Sequence, residues 1–462
     1  MQKETLIEKF KEFILEKKLL KKDEPVLLAF SGGIDSMVMT QLFHLCEYKF
    51  GIAHCNFQLR GSESDGDEAF AAHIAAHYNI PFYSMRFNTK KHQIENKLSL
   101  EEAARNLRYS WLEETRKTFH YAYIATAHHL NDSIETILLN LTKGTGIRGL
   151  QGIPSKNQNI IRPLLFSEKE EIKQFCEEHK LTYRTDTTNQ SDDFQRNKIR
   201  NHVIPVLKEI NPALEQTFAK NIRHFTQTNA IFREAADKKI KKIVQHRKDA
   251  TYIPINTLKN LLASATYLFE ILNKFGFNEY QSVEIHENLS GSGKQFFSNT
   301  HRVIIDRNFL IVTSLHSEES KHIIIESGNT IIKTKYFNLH FEYSNFHPGM
   351  QFNPSGEIAY FDADKISFPL TLRVWKKGDY MYPFGLYKKN STEKTKKPAK
   401  KKISDLLTDI KIDLYEKENT FVLLEGDRIC WLLKHRQDER FRLSPTTRKL
   451  LKIKMLPGKE SI

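Results

Sequence analysis

The chain has 462 residues, which is too long for one ordinary hydrophobic core and predicts two or three domains. Lysine and arginine total 70 against 56 acidic residues, and the formal charge of +14 favours a polyanionic partner, although an indifferent basic surface has the same composition. The four cysteines are far apart, without CxxC or metal-ligand spacing, which argues against a disulfide scaffold or zinc site. No apolar stretch is long enough to span a bilayer, so we expect a cytoplasmic protein.

The first part of the chain predicts an α/β fold with a Rossmann-like, doubly wound parallel sheet. Apolar residues at helical spacing predict an N-terminal helix, and from residue 26 to 165 short apolar runs alternate with helical patterns. The predicted strands are 26–30, 50–55, 81–87 and 121–127, and the predicted helices are 36–48, 65–78, 99–118 and 132–142. Because ligands collect beyond the carboxyl ends of such strands, the loops starting at Ser31, His54 and His128 should converge on one site.

The remainder of the chain changes character twice. Residues 166–290 predict mainly helix, including a long charged helix over about 212–245, and alternating β-branched and aromatic residues predict strands from about 293. Residues 388–402, “KKNSTEKTKKPAKKK”, contain eight lysines and predict a mobile insertion in a small α+β C-terminal domain.

The segment “SGGIDS”, residues 31–36, predicts a phosphate cradle between a buried strand and a helix. Gly32 and Gly33 allow positive φ and close approach of an anion, while the helix N-terminus supplies backbone N–H groups. Ser31 and Ser36 can add hydroxyl donors, and Asp35 can help to hold Mg²⁺. The alternative is a tight turn with a polar cap, which any α/β protein can contain. The segment lacks the GxxxxGK[ST] pattern of a kinase-type P-loop.

The same segment resembles the signature of the N-type ATP pyrophosphatases, or PP-loop superfamily. The resemblance implies that the loop binds the β- and γ-phosphates of ATP while AMP is transferred to a carbonyl oxygen. The residues expected to bind ATP are Ser31, Gly32, Gly33, Ile34, Asp35, Ser36, His54 and His128. Each histidine could equally be a satisfied structural residue.

Two later blocks add charged candidates. Asp132 and Glu135 are three residues apart, so both project from one face of a helix's first turn, although the pair also matches a capping box. Arg196, Asn197 and Arg200 lie within about one helical turn and suit phosphate or carboxylate groups, although such residues often form a solvated basic face.

In order, these blocks resemble the tRNA(Ile)-lysidine synthetase family. The resemblance rests on “SGGIDS”, “AHCNFQLRG”, “EEAARNLRY”, “HHLNDSIETILLNLTKGTGIRGLQG”, “RPLL” and “QRNKIRNHVIP”, and it resumes at “LRVWKKGDYMYPFG” and “GDRICWLLKHRQDERFRL”. It implies a PP-loop catalytic domain over 1–210, a mainly helical substrate-binding domain over 211–320, a connecting β segment over 321–365 and a tRNA-binding domain over 366–462. Asn131, Ser133 and Phe57 depart from residues common in the family, which are an acid, glutamine and a second histidine.

The family reaction joins L-lysine to C2 of the wobble cytidine in the CAU anticodon of tRNA(Ile), using ATP and Mg²⁺, and changes codon reading from AUG to AUA. The resemblance implies catalytic roles for Asp35, Asp132, Glu135 and Arg196, with Asp132 and Glu135 also holding lysine. Arg105 is expected to hold the lysine carboxylate, or else to pair with Glu101 or Glu102 on its own helix. The residues expected to bind tRNA are Asn197, Arg200, Lys388, Lys389, Lys396, Lys397, Lys400, Lys401 and Lys402, and Arg196 and Arg200 could instead grip the ATP phosphates.

Two other functions stay open at this point. A PP-loop tRNA thiolase also adenylates a nucleobase carbonyl, but it normally needs paired cysteines or a cluster motif, and the sequence offers neither. A non-catalytic RNA-binding module could also have kept a nucleotide-binding fold.

Overall fold

The structure is a computed structural model that describes residues 5–184, 195–315, 322–347, 349–352, 356–388 and 397–458. The chain forms two compact units, Met1–Arg233 and Glu234–Ile462. Among the described residues, no helix has the length and apolar character needed to cross a membrane. The four-part domain division expected from the sequence stays a prediction.

The first unit alternates strands and helices. Its strands are β1 Val26–Ala29, β2 Phe50–Asn56, β3 Phe82–Arg86, β4 Tyr123–Ala125, β5 Lys156–Asn157 and β6 Ile160–Ile161. Its helices are α1 Leu6–Glu16, α2 Ile34–Leu45, α3 Ser62–His77, α4 Thr89–Asn96, α5 Leu100–Thr118, α6 Leu130–Lys143, α7 Lys169–Glu178, α8 Gln195–Lys198 and α9 Ile204–Ile210, with a π-helical turn at Ile199–Val203. The helix α10, Leu214–Ile243, begins in this unit and contains the division between the units.

The strands of the first unit form one sheet in the order β3-β2-β1-β4-β6-β5. All neighbouring pairs are parallel except β5 with β6. Since the order runs outward from β1 in both directions, the chain is doubly wound and the predicted fold is confirmed. Parallel strands end at the same edge of the sheet, so the segments after β1, β2 and β4 share that edge.

The central strand is buried on both faces because its side chains alternate between two cores. Val26 and Leu28 pack with Phe10 of α1 and with α2 on one face, and Leu27 packs with Trp111 of α5 on the other. Val26, Leu27 and Leu28 are all 0% exposed. Each such side chain contributes about 1.5–3 kcal/mol by leaving water, and together they fix the position of the loop that follows β1.

The second unit is mainly antiparallel sheet with shorter helices. Its strands are β7 Gln245–Arg247, β8 Ala250–Pro254, β9 Gln295–Phe297, β10 His301–Ile305, β11 Phe309–Ser314, β12 Ile323–Ile325, β13 Ile331–Lys333, β14 Phe337–Asn345, β15 Ile358–Asp362, β16 Leu370–Val374, β17 Tyr380–Met381, β18 Lys401–Lys402, β19 Phe421–Glu425, β20 Arg428–Leu432, β21 Arg436–Gln437 and β22 Lys449–Pro457. Its helices are α11 Ile255–Lys259, α12 Ser264–Leu272, α13 Glu279–Glu287, α14 Ile403–Asp409 and α15 Leu414–Glu418.

The range 166–290 is mainly helical, as predicted, although β7 and β8 form a hairpin within it that joins β11, β10 and β9 in one sheet. One sequence prediction needs correction in this unit. The predicted mobile insertion is ordered at its C-terminal end, where Lys401–Lys402 pairs with Tyr380–Met381. Its N-terminal end is also held, since the Lys388 N–H donates to the Lys397 carbonyl at 3.0 Å, whereas residues 389–396 lie outside the described part of the chain.

The buried Asn131 of α6 suggests a test of the packing behind the predicted site. Its Nδ2 donates to Glu215 Oε1 at 2.9 Å, and its Oδ1 accepts from the Lys169 N–H at 3.0 Å. We predict that Asn131→Asp lowers the free energy of unfolding by about 1–3 kcal/mol, because it replaces a donor by a second carboxylate beside Glu215. The exposed Asn96→Asp is the control, and equal melting temperatures for both variants at pH 7.5 would contradict the prediction.

Candidate active site

The predicted phosphate loop follows β1 as a tight turn into α2. Gly32 has φ +86°, a conformation that residues with a Cβ rarely adopt. Gly33 N donates to Ser31 Oγ at 3.3 Å, and Ser36 Oγ donates to the Gly33 carbonyl at 2.8 Å, which closes the turn. The first backbone hydrogen bond of α2 runs from Met37 N to Gly33 O at 3.0 Å, so the helix itself does not use the amides of its first turn. This arrangement can accept a phosphate.

The loop is braced from outside by residues that the sequence analysis missed. The Arg184 N–H donates to the Gly32 carbonyl at 2.9 Å, and the Arg184 guanidinium pairs with Asp67 of α3. Arg60 also reaches Asp67, at 2.9 Å. A Cβ on Gly32 would lie 3.4 Å from the Phe70 ring. No local pattern marks this brace, because its members are far apart along the chain.

The second component is the start of α6, which follows β4. Asp132 Oδ2 accepts from the His129 N–H at 2.9 Å, and Asp132 is the third residue of α6. The capping box expected as an alternative, with Asp132 as cap and Glu135 three residues later, does not form, because the N-cap of α6 is His129. The Asp132 carboxylate also belongs to a charged cluster, since its Oδ1 lies 3.5 Å from Arg200 Nη2. His129 Nε2 lies 3.7 Å from Asp132 Oδ2 and 3.9 Å from Asp35 Oδ1. Asp132 therefore stabilises the start of α6 and also belongs to this charged cluster, and His129 lies between the carboxylates of α2 and α6.

Glu135 lies at the centre of this cluster and is 1% exposed. Arg196 Nε donates to its Oε2 at 3.0 Å, while Arg200 donates through Nε to Oε1 at 2.6 Å and through Nη2 to Oε2 at 3.0 Å. Arg196 Nη2 also reaches Thr136 Oγ1, at 2.7 Å, and the Asp132 carbonyl, at 3.2 Å. The two arginines thus grip a carboxylate, as their spacing predicted, but it is a carboxylate of the protein itself. Their roles toward ATP, lysine or tRNA stay predictions.

Asp35 carries an unsatisfied acceptor. Its Oδ1 is buried and has no hydrogen-bond partner among the described residues. Burial raises the pKa of Asp35, against the attraction of His129. A buried carboxylate oxygen without a donor fits a bound cation or ligand group. The described residues contain no cluster of three or more protein ligands for a metal. Mg²⁺ often binds through one or two carboxylates and completes its shell with phosphate oxygens and water, so Asp35 fits such an ion.

His128 lies near the Asp132 carboxylate and near three arginines. Thr126 Oγ1 is 2.9 Å from its Nδ1. The pKa of His128 is lowered to about 4, mainly by burial and also by the guanidinium groups of Arg162, Arg196 and Arg105, against the attraction of the Asp132 carboxylate. The ring is therefore neutral at pH 7, and it can act there as a hydrogen-bonding group but not as a cation.

His54 has a structural contact inside the unit. It is 4% exposed, and its Nδ1 lies 3.0 Å from the carbonyl oxygen of Phe30, immediately before the phosphate loop. Burial lowers the pKa of this histidine. The structural alternative for His54 therefore has a defined partner, and contact with the nucleotide stays a prediction.

Two arginines lie on the side of the site nearest α5. Arg105 is exposed and its guanidinium carbon lies 5.0 Å from the centre of the Tyr109 ring, whereas Glu102 accepts from Ser99 Oγ at 2.7 Å. Arg162, which the sequence analysis did not select, is 6% exposed and donates to the Pro154 carbonyl at 2.7 Å. Its buried Nε has no partner within the described chain. The only sequence signal for Arg162 was its place in “RPLL”.

The remaining predicted residues divide between the two units. Asn197 lies in α8 between the two glutamate-binding arginines. In the second unit, Lys400 Nζ lies 3.5 Å from the centre of the Tyr380 ring, and Lys401 pairs with Asp409. Lys389 and Lys396 fall outside the described residues.

The neutral His128 predicts a pH-dependent contribution to stability. An unfolded histidine binds a proton below about pH 6.5, whereas folded His128 does so only near pH 4, so stability is lost as the pH falls through this window. Between pH 7 and 4.5 we expect the free energy of unfolding to fall in the wild type and to fall by a smaller amount in His128→Gln. The difference between the two decreases should be up to about 3 kcal/mol. Urea denaturation across this range measures the difference. The exposed His73→Gln should follow the wild type, and parallel curves for all three proteins would refute the assignment.

Known families and proteins together match almost the whole chain. Residues 2–207 match the model of the PP-loop domain, and residues 245–315 match that of the TilS substrate binding domain. The tRNA(Ile)-lysidine synthase of Parabacteroides distasonis is 37% identical over 452 residues, which cover 98% of this chain and 100% of that protein. The one from Bacteroides thetaiotaomicron is 37% identical and covers 96% of this chain and 98% of its own. The one from Porphyromonas gingivalis is 31% identical, with 95% and 96% covered. The chain belongs to the tRNA(Ile)-lysidine synthase family.

Proposed function

We propose that this protein uses ATP to join L-lysine to C2 of the wobble cytidine in the CAU anticodon of tRNA(Ile), forming lysidine, AMP and pyrophosphate. The observation that carries this proposal is the open N-terminus of α2 beside the cluster of Asp35, Asp132 and the arginine-bound Glu135. The N-terminus of α2 can hold a triphosphate, and the carboxylates of the cluster can hold an amine. Relatives that cover almost the whole chain bear the name of this activity and favour neither a thiolase nor a non-catalytic binder.

The first step is adenylation of the base. The cytidine C2 oxygen attacks the α-phosphorus of ATP, a P–O bond to pyrophosphate breaks, and the oxygen becomes part of a good leaving group. The backbone amides and hydroxyls of Ser31–Ser36 hold the departing pyrophosphate as its charge develops. Mg²⁺ bound at Asp35 would neutralise phosphate charge in this step.

The second step is substitution by lysine. The ε-amine attacks C2, the C–O bond to AMP breaks, and the nitrogen loses a proton. A free lysine side chain has a pKa near about 10.4, so about one molecule in a thousand is neutral at pH 7 and a carboxylate must bind the ammonium or accept its proton. We assign Asp132 and Glu135 to the lysine site, with Asp132 the more accessible of the two, since side-chain exposure is 14% for Asp132 and 1% for Glu135. Arg105 is exposed near His128 and suits the lysine carboxylate.

The tRNA contacts belong to the same proposal. Arg200 lies 3.5 Å from Asp132, and Asn197 lies in α8 just before it along the chain, so we assign both to the entry of an extruded cytidine. The lysines at both ends of the insertion, Lys388, Lys389, Lys396, Lys397, Lys400, Lys401 and Lys402, supply sequence-independent phosphate contacts. A cytoplasmic location follows from the proposed substrates, tRNA and ATP.

The reaction can be tested directly. Unmodified tRNA(Ile) with a CAU anticodon is incubated with ATP, Mg²⁺ and isotopically labelled L-lysine, and the digested nucleosides are analysed by mass spectrometry. We expect labelled lysidine in place of one cytidine, with one pyrophosphate released per lysidine. A tRNA with a UAU anticodon is the control substrate and should remain unlabelled. Pyrophosphate release without labelled nucleoside, or no turnover of either kind, would refute the proposed activity.

Asp132→Asn removes the negative charge of this side chain but keeps the oxygen that accepts a hydrogen bond at the start of α6. Asparagine keeps a side-chain oxygen that can accept from the His129 N–H, so the melting temperature should change by only a few degrees. We expect lysidine formation to fall by about 100-fold or more, because the amine loses its carboxylate, while pyrophosphate release falls less. The exposed Asp23→Asn is the matched control. Near-normal turnover of Asp132→Asn would remove Asp132 from the site.

A further inference from the structure

A short segment of the second unit presents aromatic side chains outward. Met381 is 0% exposed and Pro383 is buried, whereas Tyr380 is 40% and Phe384 is 49% exposed, with Tyr382 between them half-buried. This alternation is that of an extended strand, whose outward face in a soluble protein is normally polar. Here the outward positions carry three aromatic residues, Tyr380, Tyr382 and Phe384, which we call the aromatic stripe.

The backbone under the aromatic stripe is held by two buried carboxylates. Asp438 is 0% and Glu439 is 5% exposed. Asp438 Oδ2 accepts from the Tyr382 N–H at 2.8 Å, and Glu439 Oε2 accepts from the Gly385 N–H at 3.1 Å. The Phe384 N–H donates to the Gln437 carbonyl at 2.9 Å. The stripe is therefore ordered before any ligand arrives, so a partner would lose little affinity to ordering it.

Cations lie over and beside the rings. Lys400 Nζ is 3.5 Å from the centre of the Tyr380 ring, and the Arg440 guanidinium carbon is 4.8 Å from that of Tyr382. The exposed Arg436 donates to the Phe384 carbonyl at 3.4 Å. The nearby carboxylates Asp438, which pairs with Arg440, and Glu439, which pairs with Arg442, are buried and present little negative surface. Exposed aromatic area edged by positive charge suits an anionic partner that also has flat apolar faces.

We propose that the aromatic stripe is a stacking platform for unpaired nucleotides of the RNA substrate, with Lys400 and Arg436 contacting the phosphates. This proposal rests on the proposed function, in which the substrate is a tRNA. A base can stack on a side chain only where it is free of its helix, so the platform binds single-stranded RNA in preference to duplex. The arrangement of rings and cations is the one that sequence-tolerant single-strand binding requires.

The test compares an exposed aromatic pair with an exposed aromatic control. The variants are the double substitution Tyr380→Ala with Phe384→Ala, the single substitution Lys400→Ala, and the control Tyr343→Ala, at a tyrosine that is 54% exposed on β14. The ligands are tRNA, a 12-nucleotide oligouridine and a 12-base-pair RNA duplex, titrated against the full-length protein at several salt concentrations. Circular dichroism checks that every variant is folded.

For the double variant we expect about tenfold or greater weakening of oligouridine and tRNA binding with an unchanged salt slope, and little change for the duplex. Lys400→Ala should reduce the salt slope by about one ion. Tyr343→Ala should bind as the wild type does. Unchanged oligouridine binding by the double variant would overturn the proposal. Equal loss for duplex and single strand would also overturn it, since that pattern indicates a charge surface without stacking.

The same samples would show whether the aromatic stripe binds a second copy of the chain instead of RNA. If light scattering shows a dimer of the wild type that the double variant loses, with RNA binding intact, the stripe is an interface between copies of the chain and the proposal fails. Lysidine formation at saturating tRNA separates this proposal from the proposed function. We expect the double variant to raise KM for tRNA and to keep kcat, whereas an inactive wild type would refute the function and leave the oligouridine result standing.

Discussion

The candidate active site depends on the hydrogen bonds that the buried carboxylate of Glu135 accepts from two arginines. A carboxylate that is 1% exposed is costly to bury alone, and here it accepts hydrogen bonds from Arg196 and Arg200. The two arginines come from α8 and the turn after it, so they fasten that segment to α6. Without Glu135, Arg196 would lose this carboxylate partner and Arg200 would keep the longer contact to Asp132 at 3.5 Å, so the arginine segment would be held less firmly to α6.

Two helix N-termini meet at the carboxyl edge of the sheet, and only one is closed. At α6 the Asp132 carboxylate accepts from the His129 N–H, so a side chain of the protein already occupies this terminus. At α2 the cap is Gly33, which has no side chain to offer, and no side-chain cap bond is formed there. The positive end of α2 is therefore available to an anion, whereas that of α6 is in use. This difference supports the proposed arrangement, in which the polyphosphate binds at α2 and the charged groups of α6 bind the second substrate.

The sequence predicts the parts of this arrangement that local patterns determine. The strands β1 and β2 and the helix α5 follow from hydrophobic periodicity, and the phosphate loop follows from a motif whose glycines have a defined conformational purpose. The short hairpin of β7 and β8 is too brief to stand out among helical neighbours, and pairing with β11 decides it. The two-residue strand Lys401–Lys402 is likewise too short to predict without its partner strand, Tyr380–Met381.

What the sequence could not supply is the pairing of charges across long separations. The brace between Arg184 and Asp67, and the burial of Glu135, each depend on contacts that span more than 60 residues. Asp132 shows why local rules do not separate structural from functional roles, since its carboxylate accepts from the His129 N–H at the start of α6 and also lies in the charged cluster of the candidate site. His129 and Arg162 were missed for a related reason: each has a buried nitrogen that finds no hydrogen-bond partner in the described part of the chain, and this is visible only once the surroundings are known.

A buried carboxylate also organises basic side chains in the second unit, where the result is a positively charged surface. Asp438, which is 0% exposed, pairs with Arg440 at 2.9 Å and accepts from the Tyr382 N–H, much as Glu135 organises its arginines. In both places the negative charge is buried and its basic partners lie nearer to solvent. A buried carboxylate can therefore set the sign of a surface as well as its shape, because the anion that holds the backbone is hidden from the partner while the cations remain in reach. For a protein whose proposed substrates include a polyanion, this placement lets a carboxylate-rich interior support a positive exterior.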